Sequence, residues 1–346
     1  MKLRINYIDN LRTIMIFLLI PYHLAMAYNI WGEPNYIFIE ENKNIASIVV
    51  FMSSWFMPVM FLLAGISAFF SLKKRTGGVF LKERFRRLGI PLLLGVIFVN
   101  PILSYVADKT HNGYNGNYFE HYAVYFTRFT DLTGYDGGFT LGHLWFIVAL
   151  MLISCIGYGI IKVIDRLSKN DRKILCIVDC IMIVISITSF DITIGGKKIV
   201  TYLGVYLMGY FLFSQQSFIE KLMKYKGFII SVFIIVSVMN VALYVYIGNY
   251  EIINEICNCM SFIAGIPAMI CIGKMYLDYT NEMCSYCSGL SYIFYIVHLP
   301  VVVLCQCFIS LVGMEGIYNL VLSFAISIII TCSICFMNMI FRRRQG

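Results

Sequence analysis

LRTIMIFLLIPYHLAMAYNIW, residues 11–31, decides the fold. The stretch is apolar over the roughly 20 residues that a helix needs to cross a hydrocarbon core of about 30 Å. It nevertheless holds Arg12 at its start and His23 beyond its middle. A bilayer penalises ionisable groups inside a span, and those that persist are functional candidates by default.

Further apolar stretches of membrane-spanning length fall at 46–72, 88–107, 143–163, 174–190, 199–214, 228–248, 255–277, 290–312 and 316–341. The chain is 60% hydrophobic and 13% charged with a mean hydropathy of +0.79. Soluble domains hold about 45–50% apolar and about 25% charged residues, so a soluble globular fold is excluded. The expected fold is all-α, a polytopic integral membrane protein of about ten transmembrane helices. One membrane domain fills residues 1–346, with no internal repeat or soluble module.

A formal charge of +8 invites a nucleic-acid partner, but its distribution argues for membrane topology. With the N-terminus in the cytoplasm, nineteen of the 27 Lys and Arg residues lie at Lys2 and Arg4, in loops 73–87, 164–173 and 215–227, and at Arg342 to Arg344. Outside loops hold only Lys43, Lys109, Arg128, Lys197 and Lys198. This asymmetry follows the positive-inside rule, with both termini cytoplasmic and an even number of spans. The partner is therefore the lipid bilayer rather than nucleic acid. Ala25-Met26-Ala27 imitates a signal-peptide cleavage site, but cleavage would start the charge alternation on the wrong side.

The 12 cysteines lie mostly within spans, where a thiol behaves as a small hydrophobe, and imply no disulfide framework. Cys284 and Cys287 form a lone C-x-x-C, expected in a cytoplasmic loop without a second ligand pair, so no metal site is expected.

Arg12 and His23 are eleven residues apart, which on a helix brings them within about 20° of one face and about 16 Å apart along the axis. Asp9 is placed for an i,i+3 ion pair that holds the guanidinium near the cytoplasmic mouth. One span thus offers a cation for phosphates at the inner surface and an imidazole deep in the membrane. Burial disfavours the charged imidazole, so a neutral ring able to accept a proton is expected; the competing reading is a His that merely hydrogen-bonds a neighbouring helix. His143 opens the fourth span in Gly142-His143-Leu144-Trp145-Phe146. Ser291, Tyr295 and His298 follow i, i+4, i+7 spacing and share a helix face, which reads as a polar seam or as interhelical hydrogen bonding. In the basic inside loop, Arg84 and Arg87 face one side and are suited to grip phosphate through several donors.

The outside loop of 108–142 is long and rich in aromatics, including Tyr114, Tyr118, Phe119, Tyr122, Tyr125, Tyr135 and Phe139, with His111 and His121. Such density is wrong for a disordered linker. It reads either as an interfacial aromatic belt or as a lid that stacks on an amphipathic acceptor such as a sugar.

In this order, the pieces resemble the bacterial family-three membrane O-acyltransferases over nearly the whole chain. Tyr7-Ile8-Asp9-Asn10-Leu11-Arg12 through His23 resembles that family's opening Arg-x10-His element, and Arg84-Phe85-Arg86-Arg87 its R-x-x-R. His143-Leu144-Trp145-Phe146 and Ser291-Tyr292-x-x-Tyr295-x-x-His298-x-Pro300 resemble its later signatures. Trp55 through Ser67 is most similar to a subgroup akin to periplasmic-glucan succinyltransferases, with Ala64-Gly65 where many members have Ser-Gly. The chain reaches Gly346 without the extracytoplasmic esterase-like domain that some members append.

The resemblance implies an enzyme of a bacterial cytoplasmic (inner) membrane, crossing it many times. It would move an acyl group, acetyl or succinyl, from cytosolic acyl-coenzyme A (acyl-CoA) to a hydroxyl of a glycan or other cell-surface acceptor. It implies His23 as the catalytic residue and Arg12, Arg84 and Arg87 at the coenzyme entrance, with Asp9, His143, Trp145, Ser291, Tyr295 and His298 in support. The competing class is a transporter or flippase, which would move a substrate without consuming a thioester. A catalytically inactive relative with a structural role is the third reading.

Overall fold

The computed structural model describes residues 5–166, 193–194, 197–248 and 250–345, most of them helical. Among the described residues seven runs are long and apolar enough to cross a membrane: Lys43–Leu72, Gly77–His111, Gly142–Ile164, Lys226–Ile247, Glu251–Tyr276, Glu282–Leu311 and Gly316–Phe341. The apolar run Ile199–Phe213 is shorter. The span expected at 174–190 lies outside the described residues. Thr193–Ile194 pairs antiparallel with Lys197–Lys198, a contact too small to alter the all-α class.

The expected first span is two helices, α1 (Asn6–Phe17) and α2 (Leu19–Met26), with a turn at Leu18. Pro21 explains the break. It has no N–H for the Phe17 carbonyl, and its ring crowds that carbonyl. The ladder resumes around it, with Leu18 N–H donating to Ile14 at 2.9 Å and Tyr22 N–H to Leu18 at 3.2 Å. The helix also stops at Met26, short of the expected residue 31, which leaves Trp31 in the following loop.

The same chemistry shapes Gly77–His111. Its π-helical turns, Phe85–Gly89 and Gly95–Val99, each end two residues before a proline, Pro91 and Pro101. Each proline withholds the donor for the carbonyl four residues back, and the ladder widens there. Arg87 lies in the first of these turns.

The chain forms two compact units. Unit 1 comprises Met1–Arg12, Val50–Ile90 and Phe146–Tyr279. Within it, α4 (Phe56–Leu72) packs backbone to backbone against the helix Ile199–Met208 and the turn that follows. A Cβ on Gly65 would lie 2.0 Å from the Tyr206 carbonyl oxygen, and one on Gly209 would lie 2.3 Å from that of Leu62. Small residues allow this approach, and dispersion rather than water exclusion holds such helices in lipid. Lys226–Val241 and Glu251–Tyr276 form a helical pair cross-linked by Ser237 and Ser261 hydroxyls at 2.7 Å, with Ser54 joining Ser261 at 2.9 Å.

Unit 2 comprises Thr13–Val49, Pro91–Trp145 and Thr280–Gly346. Its core gathers Ala25, Ala27, Tyr28, Leu103, Val106, Leu299 and Val303. The Gln306 amide donates to the Leu24 carbonyl at 3.1 Å, and the Tyr28 hydroxyl to that of Gly316 at 2.9 Å. The aromatic loop belongs to this unit and is ordered around a helix, Tyr118–Thr127, begun by a reciprocal Asn117 and Glu120 capping box. The Ser104 hydroxyl reaches the carbonyls of Gly137 and Gly138 at 2.7 and 2.9 Å. Buried Asp108 accepts from His121 Nε2 at 3.1 Å and faces Arg128 at 3.6 Å.

Candidate functional site

Most of the residues singled out from sequence fall in two polar clusters, one in each unit.

In unit 1 the cluster is cationic. Arg12 Nη1 donates to Asp9 at 3.1 Å, as the i,i+3 spacing predicts. Its Nη2 donates to the Ser67 hydroxyl at 2.6 Å and approaches the Leu63 carbonyl at 3.4 Å. The Ser67 hydroxyl in turn donates to Leu63 at 2.7 Å, so the guanidinium is held by a fixed acceptor. Arg84 ends the short helix Gly77–Arg84, half-buried, with its guanidinium 5.2 Å from the centre of the Phe80 ring. It lies within electrostatic reach of Arg12 and of exposed Arg87. Three guanidinium groups therefore converge. Among the described residues no carboxylate pairs with Arg84 or Arg87. With only Arg12 paired, to Asp9, the cluster keeps a net positive charge that suits a polyanion such as a phosphate chain, which arginine binds through several donors at once.

In unit 2 the cluster is a set of imidazoles. His23 of α2, His143 of the tight turn Gly142–Leu144, and His298 of the long helix Glu282–Leu311 come from three separate elements. The ring of His298 lies 5.3 Å from that of His23 and 4.9 Å from that of His143, between centres. Phe294 stacks parallel to His298 at 6.3 Å, and Tyr22 meets His23 edge-on at 5.3 Å. His298 is fully buried, whereas His23 is half-buried.

The backbone fixes two of these rings. His298 Nδ1 is 2.7 Å from the Tyr295 carbonyl, so Nδ1 carries the proton and Nε2 of the neutral ring carries a lone pair. His143 Nε2 is 2.9 Å from the Ile296 carbonyl, which leaves the lone pair on its Nδ1. Both bare nitrogens are buried and make no hydrogen bond. Buried polar atoms are nearly always satisfied, and exceptions require a reason such as a missing reaction partner. His298, whose ring touches both of the others, thus brings two buried proton acceptors into the cluster that contains His23. Among the described residues no group of three or more His, Cys, Asp or Glu is arranged to hold a metal ion.

Tyr295 joins this cluster through its hydroxyl, which donates to the His143 carbonyl. Ser291 does not: its hydroxyl donates to Ser288 of its own helix at 2.9 Å. Trp145 is the half-buried first residue of the helix Trp145–Ile164. Cys284 and Cys287 lie on the first turns of Glu282–Leu311 rather than in a loop, because the Asn281 side chain caps that helix by accepting from the Cys284 N–H at 2.7 Å. Ser67 and Phe80, which hold the arginines, went unnoticed in the sequence. A serine inside an apolar span and a phenylalanine four residues before an arginine are too common to signal a role.

The family description that fits this chain is an acyltransferase domain, covering residues 5–338. Among curated proteins, glucans biosynthesis protein C of Salmonella heidelberg is 23% identical over 176 residues, 48% of this chain and 41% of that protein. The counterparts from Salmonella schwarzengrund and Salmonella paratyphi A align to the same extent. The match thus spans about two-fifths of the relatives' length. No solved structure matches.

Proposed function

We propose, from the premise that this chain belongs to the acyltransferase family, that it takes an acyl group from cytosolic acyl-CoA and transfers it to a hydroxyl of a glycan or similar cell-surface acceptor. It is a multi-pass membrane acyltransferase; donor, acceptor and site residues are our reading. The observation that carries it is the histidine cluster, in which half-buried His23 meets His298, a ring whose tautomer is fixed with a bare lone pair inward.

In this scheme Arg12, Arg84 and Arg87 hold the coenzyme phosphates, Asp9 and Ser67 keep Arg12 in position, and Phe80 supports Arg84. The acceptor oxygen attacks the thioester carbonyl, the new C–O bond forms and the C–S bond breaks. The hydroxyl proton passes to an imidazole and from there to the departing thiolate, giving free coenzyme A. His23 takes that proton or carries the acyl group in transit, and His298 Nε2 accepts a hydrogen bond or proton beside it. General-base assistance of this kind contributes about 10²–10⁴ in rate. Acetyl and succinyl are the acyl groups we favour, and the bacterial inner membrane is the location.

Binding of labelled acetyl- and succinyl-CoA to the purified protein tests the donor site without knowledge of the acceptor. Saturable binding that Arg84→Ala/Arg87→Ala abolishes is expected. Well-folded protein that binds neither thioester would favour a transporter or flippase.

A further inference from the structure

Outside the helices, the loop after α2 in unit 2 forms a polar arrangement that the histidine and arginine clusters do not use. Asn29, fully buried, clamps the backbone of Glu33 from both sides: its Nδ2 donates to the Glu33 carbonyl at 2.7 Å and its Oδ1 accepts from the Glu33 N–H at 3.1 Å. Nδ2 also donates to the Met26 carbonyl at 3.0 Å, which ties the loop to the end of α2. Gly32 adopts φ +74°, the left-handed region where a residue without Cβ is unstrained. The loop is therefore pinned around Glu33 and presents its carboxylate.

That carboxylate is held in a defined orientation. Trp31 Nε1 donates to Glu33 Oε2 at 3.0 Å, and the Tyr135 hydroxyl, from the aromatic loop, donates to Oε1 at 2.7 Å. Burial, then Tyr36 and Glu33, push the Tyr135 phenol above its ordinary range, so it remains a donor. Each carboxylate oxygen retains acceptor capacity after one such bond. Among the described residues no cation pairs with Glu33, and both Trp31 and Glu33 are half-exposed. Tyr22, whose ring meets that of His23 edge-on, packs with Trp31 and Tyr135 against the same core of unit 2.

We infer that Trp31, Glu33 and Tyr135 form the docking site of a polyhydroxylated acceptor, a sugar ring bound through adjacent hydroxyls. A carboxylate whose oxygens are set by two neutral donors accepts hydrogen bonds from two neighbouring hydroxyls, and the aromatic rings beside it offer apolar faces to the C–H side of a sugar. The inference rests on the acyl-transfer reading and names the acceptor class for it.

The test is equilibrium binding of glucose tetrasaccharides (sophoro-, laminari- and cellotetraose) to the purified full chain in lipid nanodiscs, with choline as the cationic alternative. The expected result is saturable binding of at least one tetrasaccharide, weakened tenfold or more in Trp31→Ala and Glu33→Gln. Acetyl-CoA binding measured on the same preparations serves as the fold control and should be unchanged. No tetrasaccharide binding by the wild type, binding indifferent to Trp31→Ala and Glu33→Gln, or a preference for choline overturns the inference. If acetyl-CoA still binds in those cases, the acyl-transfer reading stands without this acceptor site. If acetyl-CoA also fails to bind the wild type, the donor reading fails separately.

Discussion

His298 separates two roles that a histidine substitution usually merges. Its Nδ1 is tied to the Tyr295 carbonyl, and its buried Nε2 makes no hydrogen bond. Glutamine places an acceptor oxygen near the Nε2 position but cannot take a proton, while leucine removes both properties. His298→Leu should lower acyl transfer about 10²–10⁴-fold. His298→Gln should recover part of that loss and flatten the pH–rate profile, whereas a purely structural role would show as lost thermal stability in both variants. At the donor end, Arg84→Ala and Arg87→Ala should each weaken acyl-CoA binding by about 1.5–3 kcal/mol, the range for hydrogen bonds to charged groups. Isothermal titration at two salt concentrations checks this, because the loss should shrink at high ionic strength. Arg12 and His23 stand out in the sequence as ionisable residues inside an apolar run, and Arg84 and Arg87 as a pair three apart in a basic loop. Glu33 and Trp31 do not: they become neighbours of Tyr135 only when residues about a hundred positions apart fold together.

Among the elements, the contact between α4 and the helix Ile199–Met208 depends on two glycines facing each other's backbones. Gly65→Ala would place a methyl 2.0 Å from a backbone oxygen that cannot move aside alone, so the helices must separate. The expected loss is about 1–3 kcal/mol of stability, the usual cost of overpacking. Gly289→Ala, with open space around it, serves as the neutral comparison in thermal unfolding. The aromatic loop carries a pH dependence of its own. Burial lowers the His121 pKa below its ordinary value, with the Asp108 carboxylate only partly opposing this. The folded state therefore binds fewer protons than the unfolded chain just below pH about 6.5, so stability rises with pH through that window. It should be complete above about pH 6.5 and decline as acid protonates the ring. Thermal unfolding between pH 7.5 and 5.5 should show the decline in the wild type and less of it in His121→Gln. Helix interiors are legible in the apolar runs, but element ends are not. Pro21, Pro91 and Pro101 reshape ladders within apolar stretches, and only the local carbonyl geometry shows whether a proline breaks a helix or widens one turn.

At the scale of the molecule, seven spans among the described residues coincide with apolar stretches in the sequence, and the stretch expected as the first span forms two helices joined at Leu18. Hydropathy finds such elements because a bilayer requires every backbone polar group to be satisfied within its own helix. It does not find the division into two units, since each is assembled from three separate stretches of chain whose association is encoded in packing. The account stands or falls on thioester chemistry. The most direct measurement gives radiolabelled acetyl- or succinyl-CoA to the cytoplasmic face of inverted membrane vesicles, which retain the native acceptors. It follows release of free coenzyme A together with covalent label in the membrane and lumen. Wild-type protein should yield both in equal amounts, and His23→Ala at matched abundance should lose both by about 10²-fold or more. Equal yields from His23→Ala, or label that crosses the membrane with its thioester intact, would contradict the account.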